Sequence, residues 1–230
     1  MYAAYVSPEV FLMTNLKLTR DDPHAMQAML RGVTPAAFLV HSQVRIVEGR
    51  LAEAGRDELI VGSLAATKMG IDDARLAVGQ SLVLDNRSWK IVGRFEAPGT
   101  VMEAEVWTPL SDLQIAARRD NLSCVVVTLD DAEFDDVDTF ARQRLDLELV
   151  AIRETAYFSK LSETWSANSR VGAITRARGM RALERPAASL SIIGRVKAAV
   201  LPVPVWAMPS TSRPSSATGI AAAWIGVAVV

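Results

Sequence analysis

The segment EGRLAEAGRDELIVGSLAATKMG, residues 48–70, decides how the chain is read, because two very different structures are compatible with its middle. In GSLAATK, Gly62 and Lys68 lie six positions apart around a short apolar turn, the outline of a phosphate-binding loop. That loop needs Gly, four residues, then Gly-Lys-Ser/Thr, so that backbone amides curl around phosphate and a hydroxyl holds magnesium. Here the critical places carry Thr67, Lys68 and Met69, so both the second glycine and the hydroxyl are missing. The alternative is plainer. ELIVG, 58–62, is a short β-type run, and SLAATKMG supplies about two turns of helix with Lys68 in solvent and Gly70 as the stop.

Working outward, EVFLMTNLKL, 9–18, has the apolar content of a strand, and Gly32 and Pro35 break the chain after MQAMLRGV. QSLVLDNRSWKIVGRFE, 80–96, reads as a hairpin turning at Asp85, Asn86 and Arg87. Its alternation sets Trp89, Ile91 and Phe95 on one face and Lys90, Arg94 and Glu96 on the other. In MEAEVWTPL, Glu103 and Glu105 alternate with apolar residues on a strand, and Thr108 as N-cap with Pro109 at the first helical position opens a helix carrying Leu110, Leu113 and Ala117. LSCVVVTLDD is a further strand. EFDDVDTFARQRL puts Phe134, Val137, Phe140 and Ala141 on one helical face, with acids at its start and Arg142 and Arg144 near its end, as the helix dipole favours. LDLELVAI closes with a strand, and ETAYFSKLSETW starts another helix. The expected class is α+β: a mixed sheet with interleaved helices and a β-hairpin, followed by a largely irregular C-terminal tail.

The tail differs in charge as well as order. Residues 1–164 carry 17 Lys+Arg against 25 Asp+Glu, whereas 165–230 carry 8 basic residues against the single acid Glu184; the net charges of −8 and +7 sum to the −1 of the whole chain. Pro202, Pro204, Pro209 and Pro214 follow in close succession, and no sustained period is visible. The domain expectation is therefore 1–164 for the folded part and 165–230 for a low-order, basic Pro/Ser/Ala-rich tail. A near-neutral total argues against a dedicated nucleic-acid surface, so no nucleic-acid partner is expected.

No catalytic, cofactor-binding or metal-binding residue is expected. Glu103 and Glu105, on one face of a strand, invite a general acid/base reading, but no His or Lys accompanies them and a solvated strand face explains them. His24 and His41 are far apart and neither has a second ligand at metal spacing. Asp130, Asp131, Asp135, Asp136 and Asp138 lack the glycine and terminal Glu of a calcium loop and read as a helix start with a wet face. The lone cysteine, Cys124, reads as a small buried hydrophobe in a strand. MYAAYVSPEVFLMTN does not read as a secretory leader, so none is expected from it, and the longest apolar run, GIAAAWIGVAVV at 219–230, is shorter than the roughly 18 to 20 residues of a membrane span.

Taken in order, EGR (48–50), DELIVGSLAATKMGI, LAVGQSLVL and WKIVGRFEAPGTVMEAEVWTPLSDLQ resemble the MacB-like periplasmic core domain of ABC transporter permeases in the FtsX/LolE group, over about 40–160 and more loosely back to SPEVFL at 7–12. The resemblance implies a non-catalytic extracytoplasmic domain of an inner-membrane permease, facing the periplasm and set between its first two membrane helices. It implies as partners a separate ABC ATPase subunit, the remaining permease helices and a periplasmic protein, with motion driven by the ATPase passed to a substrate or partner outside the membrane. Resemblance stops near Trp165, where composition also changes. The expectation is a truncated or frameshifted permease fragment, not competent for transport alone, and membrane-length apolar spans in another reading frame of the encoding DNA would bear on it. The competing class is a free-standing soluble binding or adaptor domain whose basic tail contacts anionic partners, testable by salt-dependent pelleting lost on deletion of 165–230.

Overall fold

A computed structural model of the chain describes residues 2–157 apart from 131 and 148, together with 190–194 and 223–228. The elements are β1 (Tyr2–Leu16), β2 (Met26–Val33), α1 (Ala37–Val40), β3 (Arg45–Gly49), β4 (Glu58–Gly62), α2 (Ala65–Met69), β5 (Ser81–Leu84), β6 (Arg87–Glu96), β7 (Val106–Pro109), α3 (Leu110–Ala117), β8 (Cys124–Asp130), α4 (Phe134–Gln143) and β9 (Leu149–Arg153). Strands and helices interleave around one mixed sheet, as expected. Most of the tail, 165–230, lies outside the described residues; the described parts of it, Leu190–Gly194 and Ala223–Ala228, are short strands beside β8 and β9.

The sheet runs β8-β1-β2-β7-β4-β6-β3, with β5 also on β6. β1 pairs antiparallel with both β2 and β8, while β2–β7 and β4–β6 are parallel. β3 and β5 follow one another along the same edge of β6, because β4 occupies the other. An isolated bridge from Lys17 to Val83 brings the end of β1 back to β5, so the strands curve around a core of Val10, Leu30, Leu59, Val61, Trp89 and Ile91. A second core on the opposite face gathers Val33, Ile60, Phe95, Met102 and Trp107. A third lies where α4 covers Val127, Leu129 and Ala151.

The opening segment folds as the plainer reading requires. β4 is buried along its whole length, α2 buries Ala65 and Ala66, and Gly70 ends the helix at φ 75°. Gly62 is needed for a reason spacing does not reveal: a Cβ there would meet the Glu103 carbonyl oxygen at 2.3 Å. The chain at 101–104 is a 3₁₀ turn laid against β4, and Glu103 O accepts from Leu64 N while Glu105 O accepts from Gly62 N. Lys68 is not in free solvent; it is half-buried along a cleft, and burial lowers its pKa.

Four further expectations are corrected. The hairpin forms, turning at Asp85 and Asn86 with positive φ, but its face pattern breaks at Val92. There β6 slips by one residue against β4, Leu59 facing Ile91 and Ile60 facing Gly93, so Trp89 and Ile91 enter the first core and Phe95 the second. Such a bulge reverses the alternation beyond it. Thr108 does not cap α3: it lies in β7 and donates its hydroxyl to Glu58 O, and Pro109 holds the cap position without a side-chain hydrogen bond. Glu103 and Glu105 are neither on a strand nor solvated; Glu103 is 9% exposed in the 3₁₀ turn and Glu105, which follows it, is 1% exposed. Phe140 of α4, expected on the apolar face, is more than a third exposed, while Val137 and Ala141 are buried.

Candidate functional site: a buried ionic network

Period-2 alternation places Ser7, Glu9 and Phe11 on one face of β1. The register sets Phe11 opposite Arg31 of β2, and Arg31 opposite Trp107 of β7. Three adjacent strands thereby deliver a carboxylate, a guanidinium and an indole to one patch, and Glu105, two residues before Trp107, adds a second carboxylate. α1 packs on β1 and ends at His41, whose ring enters from above. Glu154, just after β9 in a helical turn, completes the group.

Arg31 reads Glu105 with two parallel bonds, Nε to Oε2 at 2.6 Å and Nη2 to Oε1 at 2.7 Å, and donates from Nη1 to Glu9 Oε2 at 2.6 Å. Trp107 Nε1 donates to Glu105 Oε2 at 2.8 Å, and Ser7 Oγ donates to Glu9 Oε1 at 3.0 Å. The central carbon of the guanidinium, Cζ, lies over the Phe11 ring, 4.2 Å from its centre, an arrangement in which a desolvated cation gains from the ring quadrupole. His41 spans two carboxylates, Nε2 at 2.8 Å from Glu9 Oε1 and Nδ1 at 3.1 Å from Glu154 Oε1. Glu9, Arg31, His41 and Glu105 are all at most 2% exposed, and Glu154 is 6% exposed.

Charges this deep persist only when paired and hydrogen-bonded. Burial by itself would raise the Glu9 pKa, but the His41 and Arg31 charges outweigh it and hold the carboxyl down at about 2. Burial likewise opposes the His41 charge, yet Glu9 and the bond to Glu154 lift its pKa to about 9. Arg31 is pushed well above its ordinary value against burial, chiefly by the Glu105 and Glu9 charges. Burial, reinforced by the charge on Glu9, raises the Cys124 thiol well above its usual range. Cys124 is thus the buried strand cysteine expected from sequence.

The arrangement ties separate elements together. Its carboxylates are held as acceptors by Arg31, His41, Ser7 and Trp107. Of the sequence candidates, Glu105 enters the network and Glu103 accepts from Ser63 Oγ at 3.0 Å instead, so the two carboxylates do not form a pair. His24 lines a separate open cleft of about 580 Å³ between the end of β1, the start of β2 and the end of α2. Among the described residues, no group of three or more His, Cys, Asp or Glu is placed to hold a metal ion, and no helix is long and apolar enough to cross a membrane. Sequence reading missed Glu9, Arg31, His41 and Glu154. A signal was present in two of them: Glu9 and Arg31 each interrupt an apolar strand run, where a charge needs a partner.

Residues 3–143 match the family model described as "MacB-like periplasmic core domain". Among solved structures, the periplasmic region of MacB from Actinobacillus actinomycetemcomitans aligns at 14% identity with a TM-score of 0.48, covering 63% of this chain and 67% of that one. The extracellular domain of the noncanonic ABC-type transporter YknZ from Gram-positive bacteria aligns at 16% identity and TM-score 0.48, covering 63% and 75%. A domain of a putative permease from Porphyromonas gingivalis aligns at 16% identity and TM-score 0.42, covering 61% and 62%. No curated protein matches the chain.

Proposed function

Since the chain belongs to the family of MacB-like periplasmic core domains, whose model spans more than half of it, we propose that it is the extracytoplasmic part of an ABC transporter permease that passes ATPase-driven motion to a substrate or partner outside the membrane. The family match carries this reading. The buried network supports it in physical terms: one ionic cluster ties β1, β2, β7, the end of α1 and the segment at Glu154, so displacement of any one element is resisted by the others. A domain that relays motion needs such stiffness, and it needs no chemistry of its own. Its partner in this reading is an ABC ATPase, and its place is the outer side of the inner membrane.

The test is biochemical. In cells expressing the chain from its own locus, protease added to spheroplasts should digest the domain, and an ABC ATPase should co-purify from solubilised membranes. Protection of the domain in intact spheroplasts, together with no co-purifying ATPase, would sink the proposal.

A further inference from the structure

Both ring nitrogens of His41 face carboxylate oxygens. A neutral imidazole has one N–H and one lone pair, and an ionised carboxylate can only accept. With His41 neutral, one nitrogen would point its lone pair at an oxygen lone pair in a site with no water-exposed alternative. The charge count points the same way: the network holds three carboxylates, Glu9, Glu105 and Glu154, and a single guanidinium, which reaches only the first two, and a second buried cation reduces the imbalance.

The two carboxylates on His41 are not equivalent. Glu9 is also held by Arg31 and Ser7 and is fully buried, whereas Glu154 stands at the margin of the network and begins the helical residues 154–157. Tyr157 of that segment stacks on Phe11 at 6.4 Å. Loss of the His41 charge would therefore leave the β1–β2–β7 ties in place and free the Glu154 side.

We infer that His41 is a clasp that, as an imidazolium, fastens the segment beginning at Glu154 onto the sheet. The charged groups on its ring are Glu9 from β1 and Glu154 from the segment itself, the Trp107 ring of β7 stands against it at 5.9 Å, and Arg31 of β2 is joined to it through Glu9. The inference stands on the geometry of the ring and does not depend on the transporter reading.

The experiment uses the full chain. ¹⁵N spectra of the histidine ring should show both His41 nitrogens protonated at pH 7. Amide exchange at residues 154–157 should rise on the order of tenfold in Glu154→Ala, while β1, β2 and β7 stay protected. Glu154→Gln, which can still accept an N–H, should fall between the two. A singly protonated His41 at pH 7 would overturn the inference, placing the missing proton on a carboxyl. So would exchange in Glu154→Ala that is unchanged at 154–157 or raised uniformly across the sheet.

Discussion

At the scale of single residues, the network makes stability depend on pH from both sides. His41 has its pKa raised to about 9 from the ordinary 6.5, so its contribution is complete below 6.5 and is lost as pH rises through about 9. Glu9 is lowered to about 2 from 4.5, so its contribution is complete above 4.5 and is lost as pH falls toward about 2. Both are fully present between about pH 4.5 and 6.5. Urea midpoints measured across pH should peak there and decline on the alkaline side through about pH 9. A midpoint still rising between pH 7 and 9 would contradict the assignment. Arg31→Met should destabilise by about 3–5 kcal/mol, because it strands the Glu9 and Glu105 carboxylates without their cation. Equilibrium denaturation would measure that loss, and a change under 1 kcal/mol would show that the pairs contribute little.

Among the elements, legibility followed local chemistry. β4 came out with the expected bounds, α2 ended at the expected glycine, β8 matched its apolar run, and α4 matched at Val137 and Ala141 though not at Phe140, because burial of one face or of a whole strand writes a period into the residues themselves. The errors arose where a distant partner decides. The bulge at Val92 is set by the pairing with β4, and the 3₁₀ turn at 101–104 is held where the carbonyls of Glu103 and of Glu105, just after it, accept from the amides of Leu64 and Gly62. The capping box of α4, in which Glu133 and Asp136 bond each other's backbone amides, has a local signature and was read only as a run of acids. The ionic network was illegible as a unit because its members come from five separate elements. Gly62→Ala tests the turn: with the Glu103 oxygen 2.3 Å from the new carbon, backbone must shift, at a cost of about 1–3 kcal/mol by thermal denaturation. No loss would mean the turn can retreat freely.

For the whole molecule, β1 is the strand shared by two antiparallel pairings, with β2 and with β8. Its pairing with β2 is local, whereas its pairing with β8 joins Glu9 to Cys124 and Tyr2 to Asp130. Contacts of such sequence separation must close a long loop before they stabilise anything. As the polypeptide emerges from its N-terminal end, β1 therefore spends the synthesis of more than a hundred residues with one edge uncovered, and Glu9 has Arg31 as a partner well before β8 arrives. In a newly made chain, the strand that later anchors the domain presents an unpaired edge on which another chain can pair.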